Sequence, residues 1–328
     1  MQYAKVLGTD LYASKIVLGT DSFGSGVSKK ESFALMDSFY EAGGNILDTA
    51  SVYADWLTEE KSASEKTIGE WLKSRGCREK IVLSTKGGHP NLSSMDISRL
   101  SREELEFDLN NSLKNLKTGF IDIYWLHKDD ENIPVEALIE IMNDFIASGK
   151  VRSIGVSNWR YERIKKANDY AEKHGLFPFI SSQIQYSIAT LNMSALPKLI
   201  WGMSPYDDEY KKYCADNINI FAFSSQSKGF FGMLSGDSAA NMPENVKSEY
   251  LNESNIALAE RLKTLACSKN VNISSLQTAA LISDSKLNVF AQIGTKNPRR
   301  LNEILKYSDL KLSKDEIEWL LAGETNKY

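Results

Sequence analysis

The sequence of 328 residues contains few cysteines and histidines, and this scarcity excludes several classes of site. Its three cysteines, Cys77, Cys214 and Cys267, include no closely spaced pair and cannot all pair within the chain. This usage favours a reducing compartment over a disulfide framework. With only three histidines, a multi-histidine metal centre is not expected. The sequence therefore predicts neither a disulfide scaffold nor a bound metal.

Long apolar runs and an excess of positive charge are also missing. No stretch approaches the roughly 18 apolar residues of a membrane-spanning helix, and the N-terminus lacks the features of a signal peptide. A formal net charge of -4 gives no electrostatic reason to expect nucleic acid as a partner. We therefore expect a cytoplasmic protein that acts on small molecules, while its oligomeric state stays open.

The sequence does contain a repeated alternation of short apolar runs and amphipathic helical segments. A turn signal at residues 8–10 predicts a β-hairpin over residues 3–11. The predicted strands that follow are 16–20, 45–50, 80–86, 121–127, 151–158, 179–187, 218–225 and 287–295. The predicted helices are 29–42, 64–75, 102–117, 134–148, one ending at 174, one ending at 217, 255–269, 274–283, 298–307 and 314–321. The helix at 64–75 is expected to start at a Ser64-Glu65 capping signal, and the helix at 102–117 to end at Gly119.

Eight strand-helix units without a linker or a break in composition favour one closed (β/α)₈ barrel over residues 1–328. A doubly wound sheet is the alternative. That fold normally carries a Gly-rich nucleotide-binding turn after its first strand, and G-x-G-x-x-G is absent from this sequence. We therefore expect a TIM barrel with an N-terminal β-hairpin and an extra C-terminal helix.

Polar side chains fall at the ends of three consecutive predicted strands. Asp48 and Tyr53 follow the second strand, Lys86 ends the third and His127 ends the fourth. In this barrel fold the carboxyl ends of all strands meet on one face, where active sites lie. A lysine at the end of an apolar strand needs a partner, and Asp48 on the adjacent strand supplies one. We expect the ammonium of Lys86 to lower the pKa of Tyr53 and make it a general acid, while His127 orients a substrate carbonyl.

Each of these residues also has an ordinary structural interpretation. Asp48 could cap the turn that follows it, and Tyr53 could lie on the surface. Lys86 could extend beyond its strand into solvent, and His127 could be a rim histidine with all its hydrogen bonds made. All four on three neighbouring strand ends together argue for a proton-transfer site.

At these positions the sequence resembles the aldo-keto reductases, and the similarity covers nearly the whole chain. An aspartate, a tyrosine five residues later, a lysine closing the next strand and a histidine closing the one after form a spacing specific to that family. Further similarities occur in the family's order at successive strand ends: KIVLGTDSFG, LDTASVY, VLSTKGG, IDIYWLH, IGVSNW, SQIQYS, FAFSSQSKGFF and IGTKNPRRLNE. The resemblance implies a nicotinamide cofactor bound across the barrel mouth without a Rossmann domain, and a catalytic tetrad of Asp48, Tyr53, Lys86 and His127.

The same resemblance implies a cofactor site, residue by residue. The ends of strands one, five and six would contact the nicotinamide ring and its carboxamide through Gly19, Thr20, Asp21, Ser157, Asn158 and Gln183. After strand seven, Phe223 would pack on the nicotinamide ring, where relatives often have a tyrosine. The residues that follow it would hold the pyrophosphate: Ser224, Gln226 and Lys228. The last motif would complete the cofactor site as far as Glu303, and the start of its helix would hold a 2′-phosphate with Thr295, Lys296, Arg299 and Arg300. Its cations predict a preference for NADP(H), with NAD(H) as the alternative.

The predicted loops around the barrel mouth carry carboxylates and flat aromatic side chains, among them Trp56, Asp129 and Trp201. Carboxylates bind hydroxyls and an indole packs on the C–H side of a sugar ring, so we expect a sugar-derived aldehyde or ketone, or a sugar hydroxyl in the reverse direction. Ordinary surface polarity would explain the same composition. Two other functions stay open: a Schiff-base aldolase with Lys86 as its nucleophile, and a nucleotide-binding sensor or regulatory subunit of the same fold.

Overall fold

Eight parallel strands form a closed barrel in the computed structural model, which describes residues 1–57, 60–192, 210–235, 239–283 and 287–322. Two short antiparallel strands, β1 (Tyr3–Lys5) and β2 (Tyr12–Ser14), precede the barrel as a hairpin. The barrel strands pair in chain order, and the last pairs with the first: β3 (Ile16–Gly19), β4 (Ile46–Asp48), β5 (Val82–Gly87), β6 (Ile121–Leu126), β7 (Val151–Ser157), β8 (Ser181–Gln185), β9 (Asn219–Phe223) and β10 (Val289–Ile293). The predicted (β/α)₈ barrel with an N-terminal hairpin is confirmed.

Helices follow the strands and cover the outside of the barrel. Up to β9 they are α1 (Lys29–Glu41), α2 (Ala63–Arg75), α3 (Arg102–Leu116), α4 (Val135–Ala147), α5 (Tyr161–His174) and α6 (Tyr210–Ala215). Between β9 and β10 lie α7 (Phe230–Leu234), α8 (Glu244–Tyr250), α9 (Glu253–Lys269) and α10 (Ile273–Ser283). After β10 come α11 (Pro298–Leu305) and the predicted extra helix, α12 (Lys314–Ala322).

Capping residues explain where several helices begin and end. Ser28 and Glu31 form a reciprocal capping box at the start of α1, and the Ser101 side chain accepts a hydrogen bond from a backbone N–H at the start of α3. Gly76 and Gly175 end α2 and α5 in the left-handed conformation, which glycine adopts without steric cost. Local sequence therefore determines these boundaries.

The structure corrects three local predictions. Ser64 does not cap α2, because its hydroxyl is buried in hydrogen bonds with Thr20 and Thr49. Helix α3 ends at Leu116, and its C-cap residue Lys117 adopts the left-handed conformation two residues before Gly119. Between the strand predicted over 218–225 and the helix predicted over 255–269, where no element is predicted, the structure contains α7 and α8, which are too short to show a clear helical period.

Apolar side chains fill the end of the barrel where the strands begin. Val6 and Ala13 of the hairpin are fully buried in one cluster with side chains from inside the barrel, including Val17, Phe221 and Phe290. The rings of Phe221 and Phe290 stack with 4.7 Å between their centres. At the opposite end of the barrel, Asp48 and Lys86 lie at or near the carboxyl ends of their strands.

The described residues place limits on metal and membrane sites. No helix among them has both the length and the apolar character needed to cross a membrane. Within those same residues, no three histidine, cysteine, aspartate or glutamate side chains come together in a way that could hold a metal ion. Cys77 is buried, Cys214 is half-buried and Cys267 is exposed, and all three are free thiols.

Candidate active site

An ion pair between Asp48 and Lys86 lies inside the mouth of the barrel. Lys86 Nζ donates to Asp48 Oδ2 at 2.6 Å and to the carbonyl oxygen of Thr49 at 2.7 Å. Both charged side chains are completely buried. Burial lowers the pKa of Lys86, and the adjacent Asp48 carboxylate counteracts that effect by stabilising the ammonium. The pairing expected from the two neighbouring strands is present.

Asp48 accepts hydrogen bonds from four side chains. Ser84 Oγ and Gln183 Nε2 donate to Oδ1 at 2.5 and 2.9 Å, while Lys86 Nζ and Gln292 Nε2 donate to Oδ2 at 2.6 and 2.9 Å. A carboxylate has about four lone-pair positions, so its capacity is filled. Charge-assisted bonds of this kind replace the hydrogen bonds to water that a buried carboxylate loses.

The amide of Gln183 therefore donates to the aspartate, whereas the sequence placed this residue against the cofactor's carboxamide. Sequence reasoning did not identify Ser84 or Gln292 at all. Gln292 lies 244 residues from Asp48, and a single polar residue within a strand shows no periodic signal. Such partners become visible only when the barrel closes.

Tyr53 reaches the ion pair through tight turns that follow β4. The backbone N–H of Tyr53 donates to the carbonyl oxygen of Ala50 at 3.1 Å, and the backbone N–H of Ser51 donates to the carbonyl oxygen of Lys86 at 3.2 Å. Lys86 Nζ lies 4.5 Å from the centre of the Tyr53 ring, and the ring of His127 packs edge-on against it at 5.8 Å. The structure thus brings all four predicted tetrad residues together.

The structure corrects the predicted pKa of Tyr53. Burial, followed by the negative charges of Asp48 and Asp21, raises the pKa of this phenol well above its ordinary value. The prediction was wrong because it counted the ammonium of Lys86 but neither the burial nor the carboxylate that balances the ammonium. Tyr53 is therefore held in its protonated form, which is the form that donates a proton.

His127 is held neutral by the same surroundings. Burial, with smaller contributions from the positive charges of His89 and Lys86, lowers the pKa of His127 well below its ordinary value. His89 follows β5 and packs its ring edge-on against His127, with 4.8 Å between centres. Its Nδ1 lies 2.6 Å from the carbonyl oxygen of Pro90, and Arg99 donates to its backbone carbonyl at 3.0 Å. The sequence places His89 in a loop at the barrel mouth but gives it no role, because no pattern marks a histidine three residues beyond a strand-end lysine.

Residues predicted to contact the nicotinamide lie at the ends of β3 and β7. Thr20 is buried and donates to the backbone carbonyl of Asp48 at 2.8 Å, while Asp21 beside it is exposed. Asn158 adopts the left-handed conformation, and its Nδ2 donates to Ser157 Oγ at 3.2 Å. Asn158 Oδ1 is buried without a hydrogen-bond partner among the described residues. Buried amide oxygens are rarely left unpaired, and the N–H of a carboxamide would satisfy this one.

The segment after β9 contains several residues in the left-handed conformation. Ser224 and Lys228 have φ angles of 51° and 53°. Phe223, which precedes them, is half-buried at the end of the strand. Of the side chains predicted for the pyrophosphate, Gln226 donates to Thr278 Oγ1 at 3.1 Å, and the Lys228 ammonium donates to a carboxylate on α8 at 2.6 Å. Both already have partners within the protein.

The cations predicted for a 2′-phosphate cluster at the start of α11. They are exposed, and none forms an ion pair with a described residue: Lys296, Arg299 and Arg300. Asn297 caps this helix by accepting from the backbone N–H of its second residue at 2.9 Å, and Pro298 occupies the first position. Thr295 is half-buried just before the helix, and Glu303 is exposed further along it. A helix N-terminus with unpaired cations is suited to an anion.

One of the three residues predicted for the substrate lies next to the tetrad. Trp56 is half-exposed and packs edge-on against Tyr53, with 6.1 Å between ring centres. Asp129 instead binds the guanidinium of Arg163 through both carboxylate oxygens, at 2.7 and 2.9 Å. Its oxygens are therefore engaged in an ion pair, which weighs against the predicted role in binding hydroxyls. Trp201 lies outside the described residues.

Comparison with known proteins gives a consistent result. The sequence profile of the Aldo/keto reductase family matches residues 15–321. An NADP(+)-linked aryl-alcohol dehydrogenase of Phanerodontia chrysosporium is 33% identical over 203 residues, which cover 57% of this chain and 51% of that protein. A norsolorinic acid reductase of Aspergillus flavus is 28% identical over 331 residues, covering 96% of this chain and 79% of the relative.

These alignments differ in extent. The match to the aryl-alcohol dehydrogenase spans about half the length of that protein. The same holds for norsolorinic acid reductase B from Aspergillus parasiticus, to which the chain is 33% identical over 211 residues. A crystal structure of a thermostable aldo-keto reductase with the inhibitor epalrestat superimposes with a TM-score of 0.75 at 22% identity, over 98% of this chain and 99% of that one. The structural match shows the same fold.

Proposed function

Because the chain belongs to the Aldo/keto reductase family, we propose that it is an NADP(H)-dependent oxidoreductase that reduces an aromatic aldehyde or ketone to the alcohol, or catalyses the reverse. The observation that carries this proposal is the contact between a protonated Tyr53 and a neutral His127 beside the Asp48–Lys86 pair. Two such donors can bind the same carbonyl oxygen while negative charge develops on it.

The residues at the barrel mouth fit a nicotinamide cofactor. The unpaired Oδ1 of Asn158 would accept from the carboxamide, and the ring of Phe223 would pack on the nicotinamide. The cations at the start of α11 would bind the 2′-phosphate: Lys296, Arg299 and Arg300. When bound, the cofactor supplies the hydride that reduces the carbonyl carbon. Gln183 stays with Asp48 in this proposal, since its amide already donates there.

Tyr53 donates its phenolic proton to the substrate oxygen. Its raised pKa keeps that proton in place at neutral pH until charge develops on the carbonyl. The Lys86 ammonium, 4.5 Å from the ring centre, then stabilises the phenolate that remains. His127, being neutral, donates one N–H to the same oxygen and orients the carbonyl. In the reverse direction Tyr53 accepts the proton of the alcohol.

The environment of Lys86 argues against an aldolase. A Schiff-base nucleophile must be an uncharged amine with access to the substrate. Here the amine is fully buried and donates to a carboxylate and to a backbone carbonyl, so its lone pair is occupied by a proton. Borohydride reduction in the presence of a carbonyl substrate should therefore leave Lys86 unmodified.

The residues around the tetrad support an aromatic substrate more than a sugar. Tyr53 contacts both Trp56 and His127 edge-on, and His89 extends the row of rings beyond His127. Aromatic rings pack well in edge-to-face and offset arrangements, so this row suits a flat ring. The carboxylate on which the sugar hypothesis relied, that of Asp129, is bonded to an arginine. One similar protein also has a name that refers to aryl alcohols.

A substrate panel tests the proposed activity. We expect oxidation of NADPH with aryl aldehydes and aryl ketones, at higher kcat/KM than with oxo-sugars. Trp56→Ala should lower kcat/KM for aryl aldehydes about tenfold and change that for small aliphatic aldehydes far less. Asp129→Asn serves as the control and should leave kcat/KM unchanged for both classes of aldehyde. A preference for oxo-sugars would support the sugar hypothesis, and tight NADPH binding without turnover of any carbonyl would indicate a regulatory subunit.

A binding titration tests the cofactor preference separately. Arg299→Ala and Lys296→Ala should each weaken NADPH binding while leaving NADH binding nearly unchanged, because only the former carries the extra phosphate. Lys306→Ala is the matched control, since this cation lies at the opposite end of α11. Equal affinity for the two cofactors in the wild-type protein would contradict the proposed site.

A further inference from the structure

Gln292 is the one polar residue in an otherwise apolar strand, β10. Gln292 is half-buried, and a polar atom of such a side chain that is removed from water costs free energy unless it is hydrogen-bonded. Its Nε2 donates to Asp48 Oδ2 at 2.9 Å, while its Oε1 is buried without a partner among the described residues. The nitrogen must be the atom facing Asp48, because the reversed amide would place one oxygen against another. The side chain is therefore oriented by the carboxylate.

Gly19 provides the path by which Gln292 reaches Asp48. Strand β3 lies between β10 and β4, and Gly19 is the β3 residue in register with Asp48. A Cβ on Gly19 would lie 2.9 Å from Gln292 Nε2 and 3.1 Å from its Cγ, closer than side-chain atoms normally approach. The missing side chain of this glycine leaves room for the amide to cross the intervening strand.

The amide affects how strongly Asp48 attracts Lys86. Gln183 donates to Oδ1 of the carboxylate, whereas Gln292 donates to Oδ2. Oδ2 also accepts from Lys86, so Gln292 and Lys86 share this oxygen. Lys86 also donates to a backbone carbonyl and stays near the ring of Tyr53. Without Gln292, a lone pair on Oδ2 would lose its donor, and the attraction between carboxylate and ammonium would increase.

We propose that Gln292, admitted by Gly19, is a positioning residue that acts through Asp48 to keep the Lys86 ammonium available to Tyr53. Its amide bonds Asp48 and not the Tyr53–His127 pair proposed to bind the substrate oxygen, so its effect on turnover is indirect. This inference rests on the proposed function, since it concerns the group that transfers the proton. It also explains why an apolar barrel strand contains a glutamine beside a strand that ends in glycine.

The charged and titratable groups around Tyr53 come from several elements. Asp21 follows β3, Asp48 ends β4, Lys86 lies on β5 and His127 follows β6. Glu65 on α2 contributes to the electrostatic field at Lys86. Substituting Gln292 changes none of these formal charges. A shift in the pH dependence of turnover would therefore report on the hydrogen bonding of Asp48.

The test is the pH dependence of kcat for alcohol oxidation, where Tyr53 must accept a proton. In Gln292→Leu the stronger pull of Asp48 on Lys86 should leave the phenol more basic. We expect the rise of kcat with pH to move up by about one pH unit and kcat at neutral pH to fall about tenfold, since a hydrogen bond to a charged group is commonly worth at least that factor. KM should stay within about twofold of wild type, because only the transition state loses the interaction.

Two further variants make the test specific. Gly19→Ala should shift the profile in the same direction by a smaller amount, because the new methyl crowds Nε2 and Cγ of a flexible side chain but does not remove its amide. Gln185→Leu removes another buried glutamine, whose Nε2 donates to Tyr250 at 2.9 Å, and should leave the midpoint unshifted. A Gln292→Leu profile with the wild-type midpoint would overturn the inference, even if kcat were lower.

If the wild-type protein turns over no alcohol or carbonyl, the proposed function is refuted but the inference about Gln292 is not. Stability measurements test the inference in that case. Urea unfolding of Asp48→Asn, Gln292→Leu and the double variant forms a cycle. The loss of stability caused by Gln292→Leu should be smaller in the Asp48→Asn background, because the charge that the amide stabilises is gone. Additive losses would overturn the inference. The same cycle with Gln185→Leu should be additive.

Discussion

Replacing Lys86 with methionine isolates the buried charge of Asp48. Methionine is unbranched and apolar, so it fills much of the space of the lysine stem without an ammonium. Asp48 has no exposed surface, and its remaining donors would be the hydroxyl of Ser84 and the amides of Gln183 and Gln292. The variant therefore leaves a carboxylate in the barrel with three hydrogen bonds and no counter-charge.

The size of the effect follows from the number of donors that remain. Removing one partner of a buried ion pair typically costs about 3–5 kcal/mol in the free energy of unfolding. Because the three neutral donors still stabilise Asp48, we expect a loss near the lower limit, about 3 kcal/mol at neutral pH. The double variant Asp48→Asn, Lys86→Met contains no charge at these two positions and should recover about half of that loss or more.

Urea unfolding followed by tryptophan fluorescence measures this loss of stability, since the chain has six tryptophans. A loss below about 1 kcal/mol would show that the pair is not a buried interaction of the kind described. A double variant no more stable than Lys86→Met would refute the explanation from an uncompensated charge. Gln185→Leu is the control for loss of a buried polar group outside this network.

Three other predictions follow from the site. Tyr53→Phe should lower kcat about 10²–10⁴-fold with NADPH affinity unchanged in a fluorescence titration, and turnover near the wild-type rate would exclude Tyr53 as the acid. Burial lowers the pKa of His127, so only the unfolded chain gains its proton near pH 6.5, and stability falls as the pH drops below that value. His127→Asn should therefore lose less stability than wild type between about pH 7 and pH 5 in urea unfolding, and equal losses would contradict this account. Arg163→Met leaves the largely buried Asp129 without its partner and should lower the free energy of unfolding by about 2 kcal/mol without raising KM. A raised KM at unchanged stability would instead place Asp129 in the substrate site.

The sequence by itself determined the barrel and the position of its mouth. Strand-helix alternation is a local property, because hydrophobic period and capping residues act over a few positions. The ends of β4, β5 and β6 could therefore be located, and with them the four residues of the tetrad. The topology of a closed parallel barrel then requires those ends to meet, which is why residues far apart in the chain could be assigned to one site.

Tertiary structure alone decided how those residues are held and charged. The donors to Asp48 include Gln292 at a separation of 244 residues, and no local pattern connects the two. The same limit applies to Asp129. Its polar character predicts a role in binding substrate hydroxyls, and the sequence does not reveal that Arg163 pairs with it. The pKa of Tyr53 was predicted in the wrong direction because burial depends on every element around a side chain, whereas the sequence reveals only which charges are nearby. Hydrogen-bond partners and solvent exclusion arise from the closed fold, and they determine the directions in which the pKa values of Tyr53, Lys86 and His127 shift.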